Sequence, residues 1–185
     1  IGGDVVESEE TAAKGVGNST TLREDVTNLE SAKKVLLSLA ESVSARLRKG
    51  EVLAGNAAVE IKYADFSKCS HQAAFLTPTN STGKIYELSC QLFDELWNGA
   101  PIRLLGIRGS KLQDVSEPVQ MSLFDMELSK KAAKVKQSEE AGPTAEKLEK
   151  IDKAMDSIKK RFGDGAIVRG SMLLKDKAPG SAQEE

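Results

Sequence analysis

At 185 residues, the chain can hold one domain of roughly 100–150 residues with appendages. Charged residues are 29% of it and aromatics 4%, which describes a modest core with much solvated sequence. No apolar run nears the roughly 20 residues of a membrane helix, and no basic-then-apolar segment marks an export signal. Cys69 and Cys90 stand without a CxxC pattern beside the single histidine, His71, so a structural zinc site with four N/S ligands is nearly excluded. The formal net charge of −2 hides a pattern. Asp4, Glu7, Glu9 and Glu10 make the first twelve residues acidic, whereas Lys14 to Lys111 is mildly basic. Such a middle permits nucleic-acid binding without demanding it.

The opening Ile1-Gly2-Gly3-Asp4 has no initiator methionine and reads as the middle of a longer chain. Thr11 to Leu22 can supply a first strand. The first helix is expected over Asn28–Lys49: Thr27 with Glu30 fits a capping box, and Leu29, Leu36, Leu39, Val43 and Leu47 recur at helical spacing. Arg46, Arg48 and Lys49 sit where the helix dipole favours cations, and Gly50 ends the helix. Ala57–Tyr63 then alternates apolar and polar residues as a half-buried strand does, Ala64-Asp65 turns the chain, and Ser67 to Leu76 pairs back. A second helix is expected over Thr82–Asn98, striped by Ile85, Leu88, Leu92 and Leu96 and stopped by Gly99 and Pro101. Ile102–Gly109 reads as a last strand, bulged near Gly106.

The order is β-α-β-β-α-β, an α+β fold in which two helices cover one face of a four-stranded, mainly antiparallel sheet and leave the other face wet. A polar open face with scattered bases suits a nucleic-acid backbone, and equally suits plain solvent. Beyond it, Gln113–Val119 reads as a linker, and Lys130–Pro143 is lysine- and glutamate-rich and is expected to be disordered. A separate helix is expected over Ala145–Phe162 after a Thr144 cap, striped by Leu148, Ile151, Met155, Ile158 and Phe162. Gly163 and Gly165 end it, and Ala166-Ile167-Val168 is a candidate extended piece.

Four segments, in order, carry a family resemblance. Lys14-Gly15-Val16-Gly17-Asn18-Ser19-Thr20-Thr21-Leu22 resembles the KSIGNSTTL strand that opens the little finger domain of Y-family translesion DNA polymerases. Thr27 through Leu47 resembles that domain's first helix. Val59-Glu60-Ile61-Lys62-Tyr63-Ala64-Asp65-Phe66 is similar to its V-x-I-[KR]-Y-x-D-F strand and turn, and Leu96 through Arg108 to its LWDGRPIRLLGVR ending. The bacterial polymerase IV branch is the nearest in pattern. The resemblance implies residues 13–112 as a DNA-binding little finger, residues 1–12 as a linker from an absent thumb, and residues 113–143 as a flexible linker. It also implies residues 144–174 as a C-terminal helical extension and 175–185 as a disordered end. Residues expected to meet primer–template DNA are Lys14, Gly17, Asn18, Ser19, Thr20, Lys62, Ser70, His71, Gln72, Arg103 and Arg108. A polymerase that tolerates lesions must hold phosphates, which fix register and carry no sequence. Gly15 stands where the family has serine, Ser70-His71-Gln72 where it often has S-R-Q, and Glu7-Ser8-Glu9-Glu10 where it is often basic. These departures predict weaker DNA affinity than usual.

Gln120-Met121-Ser122-Leu123-Phe124 resembles the pentapeptide, commonly Q-L-[SD]-L-F, that docks on the bacterial sliding clamp. Leu123 and Phe124 are suited to an apolar cleft and Gln120 to a small polar pocket, the concentrated anchors that an extended segment needs to offset its ordering cost. The family's catalysis implies magnesium held by palm carboxylates that this stretch lacks, so no cofactor and no polymerisation are expected of it alone. Expected partners are therefore DNA, the clamp and the protein's own catalytic core, in the cytoplasm. A competing reading is a protein–protein adaptor whose tail recruits partners without DNA contact. A free-standing enzyme of ferredoxin-like topology is remote, since no acid/base pair or nucleophile–base set is present.

Overall fold

The structure, a computed structural model, describes residues 14–117, 145–163 and 165–170. The elements are β1 (Gly15–Val26), α1 (Leu29–Lys49), β2 (Val52–Tyr63), β3 (Lys68–Thr79), α2 (Thr82–Leu96), β4 (Ile102–Asp114) and α3 (Ala145–Phe162). Two compact units divide the chain, residues 1–144 and residues 145–185.

In the first unit the strands lie in the order β1-β4-β2-β3, with every neighbouring pair antiparallel. The last strand of the domain thus inserts between the first and the second, and β1 and β3 are the edges. Period-two alternation sends Val59, Ile61 and Tyr63 of β2 and Leu105 and Ile107 of β4 to one face, where all are buried. Against them pack Leu36, Ala40, Val43 and Leu47 of α1 and Ile85, Leu92 and Phe93 of α2, forming a single core. Each buried Leu or Ile contributes about 1.5–3 kcal/mol relative to exposure. Polar joints fix the helices: Ser44 and Thr82 share a buried hydroxyl–hydroxyl bond of 2.7 Å, and Arg48 Nη1 donates to the Asn80 carbonyl at 2.8 Å. The Tyr63 hydroxyl reaches the Leu96 carbonyl at 3.4 Å. Burial, and then the Cys69 thiol at its oxygen, push that phenol up to about 12, so it is a neutral donor at any physiological pH.

The α+β order and both helices agree with the sequence expectation, while several boundaries differ. The α1 cap is Asn28 rather than Thr27, because its side-chain oxygen accepts the Ser31 amide at 2.7 Å. β1 lies further along than expected, since a register shift between Thr21 and Val26 lets it continue to pair with Ile102. β2 begins at Val52 and β4 ends at Asp114, because Val52 and Leu53 pair with Asp114 and Gln113. Pro78 lies inside β3, tolerated on an edge strand. The ladder runs unbroken through Gly106, and the irregularity falls at Arg103 instead. Glycine serves close approach at position 106: a Cβ there would lie 3.1 Å from the Ser19 Cβ.

In the second unit, α3 spans Ala145–Phe162 and stops at Gly163, whose φ of 93° suits glycine and whose amide returns to the Lys159 carbonyl at 2.8 Å. Arg169 then reaches back to the buried Asp152 at 2.7 Å. Ile151 and Phe162 of the apolar stripe remain exposed. Ile167 and Val168 join no strand among the described residues.

Candidate nucleic-acid interface

The strand registers assemble the open face into rows running β1, β4, β2, β3. Gly17, Arg108, Ala58 and Gln72 form one row, and Ser19, Gly106, Glu60 and Ser70 the next. Thr21, Leu104, Lys62 and Lys68 form a third, and Gly15, Ser110, Asn56 and Ala74 flank the first. Small residues dominate the middle, leaving a shallow depression of about 450 Å³ bounded by Ser19, Ala58, Glu60, Ser70, Gly106 and Arg108. Arg108 crosses the glycines of β1: a Cβ on Gly15 would stand 2.9 Å from its Nε, and one on Gly17 would stand 3.4 Å from its Cβ and Cγ. Gly15, where the family has serine, therefore makes room for this guanidinium.

The edge position of β1 adds donors. Arg46 Nη1 donates to the Gly17 carbonyl at 3.0 Å, so that carbonyl is turned off the edge of the sheet. In a strand the N–H and C=O of one residue share a side, so the amides of Gly17, Ser19 and Thr21 point outward with it. Outward amides beside glycines suit a phosphate oxygen, as does the exposed Arg46 above them.

Of the residues singled out from sequence, Gly17, Ser19, Lys62, Ser70, Gln72 and Arg108 share this face. Lys14 is exposed just before β1. Arg103, at the irregularity, pairs with Asp25 at 3.5 Å. Asn18, Thr20 and His71 fall on the helix side of the sheet by register. Asn18 donates to Ser42 on α1 at 3.0 Å, and His71 Nε2 lies 3.2 Å from Glu95 on α2. Sequence reasoning missed Thr21, Lys68, Arg46 and the acidic Glu60. Counting by twos from Ser70 and Ser19 finds the first two; nothing local in the sequence brings Arg46 to β1. Glu60 sits 3.9 Å from Lys68, which offsets part of the charge it sets in the face.

Among the described residues no three His, Cys, Asp or Glu side chains gather closely enough to hold a metal ion. No described helix is long and apolar enough to cross a membrane.

The antiparallel four-stranded sheet and its two covering helices occupy the segment that a family model matches. Residues 13–123 match the impB/mucB/samB family C-terminal domain, and the chain belongs to that family. It carries the little finger domain of a Y-family DNA polymerase of the polymerase IV type. DNA polymerase IV of Clostridium kluyveri is 33% identical over 166 residues, covering 89% of this chain and 39% of that protein. DNA polymerase IV of Clostridium acetobutylicum is 34% identical over 163 residues, covering 88% of this chain and 37% of its own length. The chain thus spans less than half the length of these relatives. Among solved structures it is similar to a complex of a beta-clamp processivity factor with the little finger domain of PolIV. That chain is 22% identical, with 59% of this chain and 97% of that one covered and a TM-score of 0.47.

Proposed function

We propose that this domain grips primer–template DNA by its phosphates for a DNA-directed, magnesium-dependent translesion polymerase, and that Gln120–Phe124 tethers that polymerase to a sliding clamp. The observation that carries the DNA reading is the open face itself. Arg108, Lys62 and Lys68 stand around a floor of glycine, alanine and serine, beside an edge strand with outward amides. Apart from Glu60, which lies 3.9 Å from Lys68, the floor from Ala58 to Gly106 is built of small side chains, so the grip rests on phosphates and is independent of sequence. Such a grip lets synthesis proceed past altered bases, because the phosphates are unchanged by most base damage. The enzyme's own catalytic core is then a third partner, and its place of work is the cytoplasm, with the bacterial chromosome.

The clamp segment lies outside the described residues, and its support is the pentapeptide pattern next to a little finger domain. A tether converts clamp-bound DNA into a neighbour at high local concentration, which offsets the weak hold of a face with few cations. The test is a pair of titrations. Two duplexes of unrelated sequence should bind equally well, and a peptide covering Val119–Asp125 should displace the chain from purified clamp. Marked preference for one duplex defeats the phosphate reading, and failure of the peptide to compete defeats the tether. Clamp binding with no DNA binding at any ionic strength would instead support the adaptor reading.

A further inference from the structure

At one end of the open face the β2–β3 turn presents an aromatic ring to solvent. Phe66 is 63% exposed and has φ 69°, a left-handed conformation that large L side chains seldom adopt. The surrounding turn holds it there. The Phe66 amide donates to the Tyr63 carbonyl at 3.0 Å, and the Tyr63 amide to the Ser67 carbonyl at 3.0 Å. The Asp65 carboxylate accepts the Ser67 amide at 2.9 Å and hydroxyl at 2.6 Å, and the Ala64 amide is tied to the Pro101 carbonyl at 3.0 Å. An apolar ring kept outside the core by an ordered, unusual backbone points to use at that position.

Its neighbours are cationic. Lys62 Nζ lies 4.5 Å from the ring centroid and Arg103 Cζ 5.9 Å from it, while Lys68 is the cross-strand partner of Lys62. The nearby acids are engaged: Asp65 by Ser67, Asp25 with Arg103 at 3.5 Å, and Glu60 with Lys68 at 3.9 Å. An exposed aromatic among lysines and an arginine has the chemistry of a single-stranded nucleic-acid site, in which a base stacks on the ring and the adjoining phosphate meets the cations.

We propose that Phe66 is a stacking platform for an unpaired DNA base, with Lys62 and Lys68 holding the adjoining phosphate, so that the face grips duplex and single strand together. The inference rests on the DNA-binding reading of the open face. Stacking is indifferent to base identity because every base has a π-face, which agrees with a grip that ignores sequence. The cation–π contact of Lys62 is exposed and weak, so an arriving base can take the ring face while the ammonium turns to the phosphate.

The experiment compares a blunt duplex with the same duplex bearing an unpaired overhang that contains 2-aminopurine. The whole chain is used, as wild type, Phe66→Leu and Phe66→Trp. The overhang should strengthen wild-type binding roughly tenfold, and 2-aminopurine fluorescence should be quenched on binding. Phe66→Leu should lose both effects yet bind the blunt duplex as the wild type does, and Phe66→Trp should keep both. An overhang preference and quench that survive in Phe66→Leu overturn the proposal and leave the ring as a packing surface for another part of the longer protein. Equal losses on blunt and overhung DNA also overturn it, assigning the ring to the turn's own structure. Failure of the wild type to bind blunt duplex at all refutes the underlying DNA reading instead.

Discussion

The salt dependence of DNA binding should count the cations of the open face. Arg108 and Lys62 stand on neighbouring strands four residues apart in register, about 14 Å at ordinary strand spacings. At a rise of about 3.4 Å per nucleotide this is roughly four steps along a DNA strand, so the two meet different phosphates, and Lys68 beside Lys62 reaches a third. Three contacts give a slope of log K against log salt of about −2.7, a loss of roughly fortyfold between 50 and 200 mM. Arg108→Gln should flatten the slope by about 0.9, reducing that loss to roughly twelvefold. Fluorescence anisotropy of a labelled primer–template at four salt concentrations measures both slopes. The Arg108 side chain has no hydrogen bond or ion pair among the described residues, and its backbone place in the sheet is kept by glutamine, so the substitution should leave the fold intact, which a circular dichroism melt checks. A slope unchanged by Arg108→Gln with affinity intact would refute the placement of phosphate on this face.

Gly15→Ser, which restores the family's usual residue, should destabilise this chain by about 1–3 kcal/mol in urea denaturation, because its Cβ would lie 2.7 Å from the Gly109 carbonyl. The Asp65 carboxyl is held below its ordinary 3.8 by the Ser67 hydroxyl and then the Ser67 amide, so Ser67→Ala should raise its titration midpoint, read by NMR. A depressed carboxyl stabilises the fold above its unfolded pKa and loses that contribution as pH falls through the folded one. The β2–β3 turn should therefore loosen only below about pH 4. Replacing Leu123 and Phe124 together by Ala should weaken clamp binding about a thousandfold, if each anchor contributes about 2 kcal/mol, while Gln120→Ala should cost less. A titration with purified clamp checks this.

Helices were the most legible elements. The stripe of α1, the Gly99–Pro101 stop of α2 and the Gly163 end of α3 mark local backbone limits that tertiary structure leaves in place. Strand order was not legible, because pairing β4 between β1 and β2 is a long-range choice without a local signal. The candidate site was half legible for a related reason. The blocks around Asn18 and His71 read as continuous polar stretches, but a strand sends alternate residues to opposite faces. Ser19 and Ser70 therefore reach the open side while Asn18 and His71 turn to Ser42 and Glu95. The freedom of Gly15 acquires meaning only once Arg108 is seen lying over it.

The central claim is that DNA lies on the open face of the sheet. Amide chemical-shift mapping of the labelled chain during titration with primer–template DNA tests it most directly. Perturbations should concentrate at Gly17, Ser19, Thr21, Lys62, Ser70, Gln72 and Arg108, and leave the solvent sides of α1 and α2 silent except near Arg46. Shifts gathered on the helical side, or none on Gly17, Ser19 and Arg108 at saturating DNA, would contradict it.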